Sequence, residues 1–289
     1  MAKLKKFSFI FILVIAEIFL ISGFSFGVGF EDKLRNLKWI AYSPTNYKPN
    51  KEIYPELDSI KKDLEVLRSF GATGIITYGA MGVLGEIPRL AKEAGFEGVI
   101  MGIWDIENRS EIVNVTLAKD YADGYCVGNE GYNKRYDLEA LAKAIKTIKE
   151  ATNRPATFTE EVFDYSSSEL LELGDWIFPN IHPFACEIKD PAKGVAWLIK
   201  HYQYLQKKNT LHKPIIFKET GFPTRGGKGA NQANQKKYFN LLLEAKVPFV
   251  YFEAFDQNWK RHTSYEPYWG LFDAKRRPKK FVSGWKTKK

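Results

Sequence analysis

Two apolar runs in this chain end on an acid. "GYCVGNE" closes on Asn129 and Glu130, and "KPIIFKETGFP" carries Glu219 behind a β-branched stretch. A carboxylate at the tip of a buried strand lowers stability unless it has partners or a task. The other apolar runs end on polar or aromatic residues. Tyr42 closes "WIAY", Tyr78 "GIITY", and Trp104 with Asp105 "VIMGIWD". Glu160 and Glu161 close "ATFTEE", His182 "WIFPNIH", and Glu253 with Asp256 "FVYFEAFD". Two carboxylates facing each other across a cleft are what cleavage of a glycosidic bond requires. One is protonated to release the leaving oxygen, and the other is ionised to stabilise or attack the anomeric carbon. Aromatic planes suit the C–H faces of sugar rings, and Trp104, Phe222, Trp259 and Trp269 are candidates. The bland alternatives are a Glu219 paired with Lys218, a Glu130 that merely precedes a helix, and a His182 that only donates a structural hydrogen bond.

Those tips must be placed by regular elements. Between the apolar runs lie helical patterns. In "ELDSIKKDLEVLRSFG", Leu57, Ile60, Leu64 and Leu67 recur at helical spacing, and Gly71 stands where a C-terminal cap belongs. "DLEALAKAIKTIKEAT" follows Asp137, and "DPAKGVAWLIKHYQYLQKK" carries Pro191 in its first turn. Eight strand–helix alternations follow one another with no break in composition. This predicts an α/β fold, a single-domain (β/α)8 TIM barrel, in which chemistry sits at the C-terminal ends of the strands. A doubly wound sheet is disfavoured, because no G-x-G-x-x-G follows the first strand.

The chain has 289 residues, 45% hydrophobic and 15% aromatic, with a formal charge of +9. The basic residues form no compact stripe and no nucleic-acid motif, so no nucleic-acid partner is expected. Three lysines in "MAKLKK" precede a long apolar stretch interrupted by Glu17. This reads as a signal peptide or signal-anchor over residues 1–29, followed by a catalytic domain over 30–289. The protein is therefore expected to be secreted or held at the cell surface, with the anchor as its only membrane contact, and to be a monomer. Cys126 and Cys186 are expected to be buried free thiols. The four histidines form no H-x-x-x-H, so neither metal nor cofactor is expected.

Read together, "VGNE", "ETGFP" and "YFEAFDQNWK", with "YWGLFD" and "RRPK" behind them, resemble the signatures of glycoside hydrolase family 17, in the clan of retaining (β/α)8 hydrolases. The resemblance runs from about Trp39 to Lys280. It implies a hydrolase of β-glucan, chiefly β-1,3-linked, with an oligosaccharide or polysaccharide substrate; glucan transglycosylases are also members. It implies Glu130 as acid/base and Glu219 as nucleophile. Asn129 would bind the sugar 2-hydroxyl, Glu253, Trp259 and Lys260 would line the site, and Tyr42 and Tyr78 would form its floor. Phe222 stands where the family commonly has Trp. A noncatalytic carbohydrate-binding surface protein on the same barrel is the alternative of another class.

Overall fold

The computed structural model describes residues 29–279 and Trp285. The predicted export segment, residues 1–29, lies outside the described residues except for Gly29. No described helix is long and apolar enough to cross a membrane.

Among the described residues seven strands form one sheet: β1 (Trp39–Ala41), β2 (Gly74–Ile76), β3 (Gly98–Ile103), β4 (Gly124–Val127), β5 (Ala156–Thr157), β6 (Phe217–Thr220) and β7 (Phe249–Tyr251). All pairs are parallel, in the order β5-β4-β3-β2-β1-β7-β6. Nearly every strand residue is buried, which is why the strands read as continuous apolar runs rather than alternating ones. Among the described residues the eight α-helices are α1 (Phe30–Asn36), α2 (Leu57–Phe70), α3 (Ile87–Glu93), α4 (Arg109–Leu117), α5 (Leu138–Thr152), α6 (Ser168–Glu172), α7 (Pro191–Lys208) and α8 (Gln232–Glu244). Most of the sequence signals are used as read, although Leu57, at the first position of α2, is exposed. Ile60, Leu64 and Leu67 face the core from α2, and Gly71 ends it at φ 102°. The Asp137 carboxylate accepts from the Ala140 N–H at the start of α5, and Pro191 opens α7.

The sheet curls until both of its edges meet one segment, residues 177–181. On the β5 side, Asn180 N–H donates to the Glu160 carbonyl at 2.9 Å, and Val162 N–H to the Asn180 carbonyl at 2.9 Å. On the β6 side, Ile181 N–H donates to the Glu219 carbonyl at 2.8 Å, and Lys218 N–H to the Pro179 carbonyl at 2.9 Å. This segment is the predicted sixth strand. It pairs through isolated parallel bridges, Glu161 with Asn180, Ile177 with Ile215 and Asn180 with Glu219, rather than as a continuous ladder. Pro179 lacks the N–H that a ladder would need there. The predicted seventh and eighth strands are therefore β6 and β7.

At the opposite end of the sheet the core is built around Trp39, which is fully buried. On the β2 side its register neighbours are small: Trp39 pairs with Gly74, and Gly74 with Gly98. A Cβ on Gly74 would lie 2.5 Å from the Trp39 ring, and one on Gly98 2.6 Å from it. The two glycines leave the space that the indole fills. Trp39→Ala is expected to lower unfolding free energy by about 3–5 kcal/mol, read as a reduced urea midpoint at unchanged slope. Gly98→Ala should also destabilise by overpacking; a wild-type midpoint for either variant would contradict this account.

Candidate active site

Charged and polar side chains gather where the strands end. Glu219 on β6 is only 5% exposed. Its Oε1 accepts from the Lys218 ammonium at 2.7 Å. Its Oε2 lies 3.3 Å from His182 Nε2, which follows segment 177–181. Burial alone would raise its pKa, but the Lys218 cation, joined by His182, reverses this and holds the carboxyl far below the usual carboxylate range.

Glu130 lies just beyond β4 in a left-handed conformation, φ 50°. That backbone is strained for a glutamate by about 1–3 kcal/mol, so the surrounding loop must hold it. Glu130 N–H donates to the Thr159 carbonyl. The next two N–H groups, of Gly131 and Tyr132, both donate to Glu160 Oε1, at 3.1 and 3.0 Å. Tyr136 packs across the turn, and a Cβ at Gly128 or Gly131 would collide with its ring or hydroxyl. The Glu130 carboxylate, half-buried, accepts from Asn180 Nδ2 at 2.6 Å. The tips of β4 and β6 are joined directly, because Lys218 Nζ also donates to Asn129 Oδ1 at 2.5 Å.

Two further features complete this end. Glu253, after β7, is fully buried and holds Lys260 Nζ at 2.9 Å with both carboxylate oxygens. Burial pushes its carboxyl up to about 7 despite Lys260, with Glu219 adding to the rise. The Tyr78 ring lies under Lys218 Nζ, 4.4 Å from centroid to nitrogen. Its hydroxyl is buried, has no hydrogen-bond partner within 3.5 Å among the described residues, and faces the charges of Glu219, Glu253 and Glu130. Burial first, then those carboxylates, raise its pKa well above the ordinary phenol value. At the rim, Trp104 is 48% exposed and carries Arg135 on one face at 4.8 Å. The loop beneath it is fixed by Glu111, whose carboxylate accepts from the N–H groups of Ala80, Trp104 and Asp105.

Residues 40–270 match the model of the BtgE/BtgC glycoside hydrolase domain. The chain belongs to that family. The glucan 1,3-β-glucosidase of Arthroderma benhamiae is 28% identical over 260 residues, 76% of this chain and 82% of that protein. The probable glucan endo-1,3-β-glucosidase btgC of Aspergillus terreus is 25% identical over 81% of this chain. This chain spans only 43% of that longer relative, and 32% of its Aspergillus clavatus counterpart. Among solved structures, the β-1,3-glucanase and allergen CJP38 of Cryptomeria japonica pollen superposes with a TM-score of 0.64 at 16% identity, over 84% of this chain and 97% of that one. A structure of plant β-glucan endohydrolases gives 0.58 at 15% identity, over 83% and 98%. At these identities the likeness speaks for the α/β fold of barrel glycoside hydrolases.

Within this glycoside hydrolase domain, most predicted residues converge. Asn129, Glu130, Glu219, Tyr78, Glu253 and Lys260 lie in one connected region, with Trp259 beside Lys260 and Trp104 on the rim. Three expectations fail, one of them Trp269, which is 3% exposed and packed against His182 and Phe252. Tyr42 does not reach the site: its hydroxyl donates to the buried Asp63 on α2, which Arg276 also holds. Phe222 offers no face to a sugar, since it is fully buried against Phe184 and Tyr238. Both side chains point from the strand ends towards the packed exterior layer. Cys186 is exposed rather than buried, because it lies in a turn beyond His182 and not in a strand; both cysteines are free. Three contributors were missed. Sequence alone reads His182 as a structural hydrogen-bonder and Lys218 as a salt-bridge partner of Glu219, and assigns Asn180 no role. Asn180 and His182 did leave a signal, as the polar residues of "FPNIHP".

Glu160 supplies a test of how the Glu130 turn is held. Burial pushes its carboxyl up to about 7, against the opposing bonds from Tyr132 and Gly131 N–H. The folded protein thus keeps a proton that the unfolded chain releases in the ordinary carboxylate range. Stability therefore falls as pH rises from that range to about 7. Glu160→Gln keeps the Oε1 acceptor and removes the titration. Its melting temperature should fall less than that of the wild type between about pH 5 and pH 8; identical pH dependence in the two proteins would refute the assignment.

Proposed function

We propose that this chain is a retaining β-glucan hydrolase, acting on β-1,3-linked glucan by double displacement. Glu219 is the nucleophile and Glu130 the acid/base. The observation that carries this reading is the contrast between two carboxylates at the tips of β4 and β6, which Lys218 and Asn129 link across the site. Glu219 is buried and kept ionised by Lys218 and His182. Glu130 is more open and oriented by a neutral amide, Asn180. A buried anion suits attack on the anomeric carbon, and an accessible carboxyl suits proton exchange with the leaving oxygen and then with water. The β-1,3 linkage is supported by the names of the relatives, glucan 1,3-β-glucosidase and glucan endo-1,3-β-glucosidase.

In this reading Asn129, Tyr78, Glu253, Trp259 and Lys260 line the sugar site, and the open face of Trp104 stacks on a more distant unit. Segment 177–181 serves as the sixth stave of an eight-stave (β/α)8 barrel forming one catalytic domain over residues 30–289. The protein acts as a monomer outside the cytoplasm, delivered or anchored by residues 1–29.

The test is turnover of β-1,3-glucan oligosaccharides, with products resolved by length and anomer. Wild type should release β-anomeric products. Glu130→Gln should lose about 10²–10⁴-fold in kcat, and Glu219→Gln more. Products longer than the input would move the reading to transglycosylation. Binding without turnover of β-1,3-, β-1,4- or β-1,6-glucan would make the domain a carbohydrate-binding protein instead.

A further inference from the structure

We propose that Lys218 is a positioning residue: it keeps Glu219 a good leaving group for breakdown of the glycosyl-enzyme and fixes which side of the Asn129 amide faces the sugar. This rests on the function proposed above. Neighbouring residues in a regular strand point to opposite faces, so Lys218 and Glu219 should not meet. Here β6 advances three positions between register partners, Phe217 to Thr220, while β7 advances two, Phe249 to Tyr251. The irregularity brings both charged ends to one place, 2.7 Å apart, with Lys218 only 1% exposed. An ammonium has three donors and no acceptor. One meets Glu219 Oε1, one meets Asn129 Oδ1, and the nitrogen lies over the Tyr78 ring. Both hydrogen bonds and the ring contact of the cation go to groups of the site itself.

Two consequences follow. Because lysine only donates, the Asn129 atom it holds must be the amide oxygen. Asn129 therefore turns its Nδ2 donor away from Lys218, available to a sugar hydroxyl oxygen. The second consequence concerns the covalent cycle. In glycosylation a Glu219 oxygen bonds to the anomeric carbon, the glycosidic C–O bond breaks, and the leaving oxygen takes that electron pair and the Glu130 proton. Glu219 is now a neutral ester, and Lys218 is a buried cation without its anion. In breakdown a water oxygen bonds to the anomeric carbon and its proton goes to Glu130. The bond to Glu219 breaks, and the electron pair returns to Glu219 as a carboxylate beside Lys218. The lysine thus favours release over persistence of the intermediate.

The experiment combines ¹³C-carboxyl NMR titration of Glu219 with stopped-flow turnover of dinitrophenyl β-laminaribioside, in wild type, Lys218→Met and Lys218→Arg. Glu219 should titrate below the ordinary carboxylate range in wild type, move up in Lys218→Met and stay low in Lys218→Arg. Lys218→Met should show a burst of one dinitrophenol per enzyme and a glycosyl-enzyme mass, with breakdown slowed at least about tenfold, the scale of one lost charge-assisted hydrogen bond. Lys218→Arg should restore much of the rate. An unchanged Glu219 titration in Lys218→Met overturns the proposal, as does an equal fall in kcat and kcat/KM with no burst. If Lys218→Met does not fold, the wild-type titration still decides, since a Glu219 in the ordinary range overturns it. A depressed Glu219 with no wild-type turnover of any β-glucan or aryl β-glucoside overturns the glucanase reading, while the charge-holding role of Lys218 stands.

Discussion

The Glu219 carboxylate has been taken out of water, and a buried charge is tolerated only when its partners are already in place. Much of the architecture at this end of the sheet can be traced to that requirement. Lys218 must share a side with its neighbour, so β6 departs from regular register against β7. The ammonium in turn needs a second acceptor, and Asn129 reaches across from β4. His182 approaches the far oxygen from the segment that spans the two sheet edges. Three elements distant in sequence are thereby tied to one charge.

A second tier of buried carboxylates does the same for the loops. Glu111 gathers three N–H groups from the loops after β2 and β3. Glu160 gathers two from the turn after β4, and Asp63 holds Thr45 from the loop after β1 together with Arg276. Asp256 accepts from Gly270 N–H and from the buried Lys279. Loops ordinarily satisfy their backbone with water. Here acids satisfy it internally, which removes freedom from the very segments that carry Glu130 and Trp104 and holds them in fixed geometry.

Much of this was legible in the chain. The helical spacing of Ile60, Leu64 and Leu67, the cap at Asp137 and the apolar strand bodies are local patterns, and local patterns survive folding. The acids at strand tips were legible because a carboxylate after a continuous apolar run violates the rule that buried segments are apolar. What misled was side-chain direction. Tyr42 and Phe222 stand at the same strand ends as Glu130 and Glu219, yet each points into the outer packing layer. Residue type reports that an aromatic ring is present, not the face on which it lies.

By itself, the sequence determined the alternation of strand and helix, the end of the sheet where chemistry collects, and the two glutamates that stand there. These follow from hydrophobic period and from the cost of placing charge next to apolar residues. Only the tertiary structure decided which groups surround those glutamates. The displacement in β6 that joins Lys218 to Glu219, the proline that reduces segment 177–181 to single bridges, and the meeting of Asn180 with Glu130 all depend on contacts between residues tens of positions apart. No period in a chain encodes such a contact; it exists only once the sheet has curled and its edges share a neighbour.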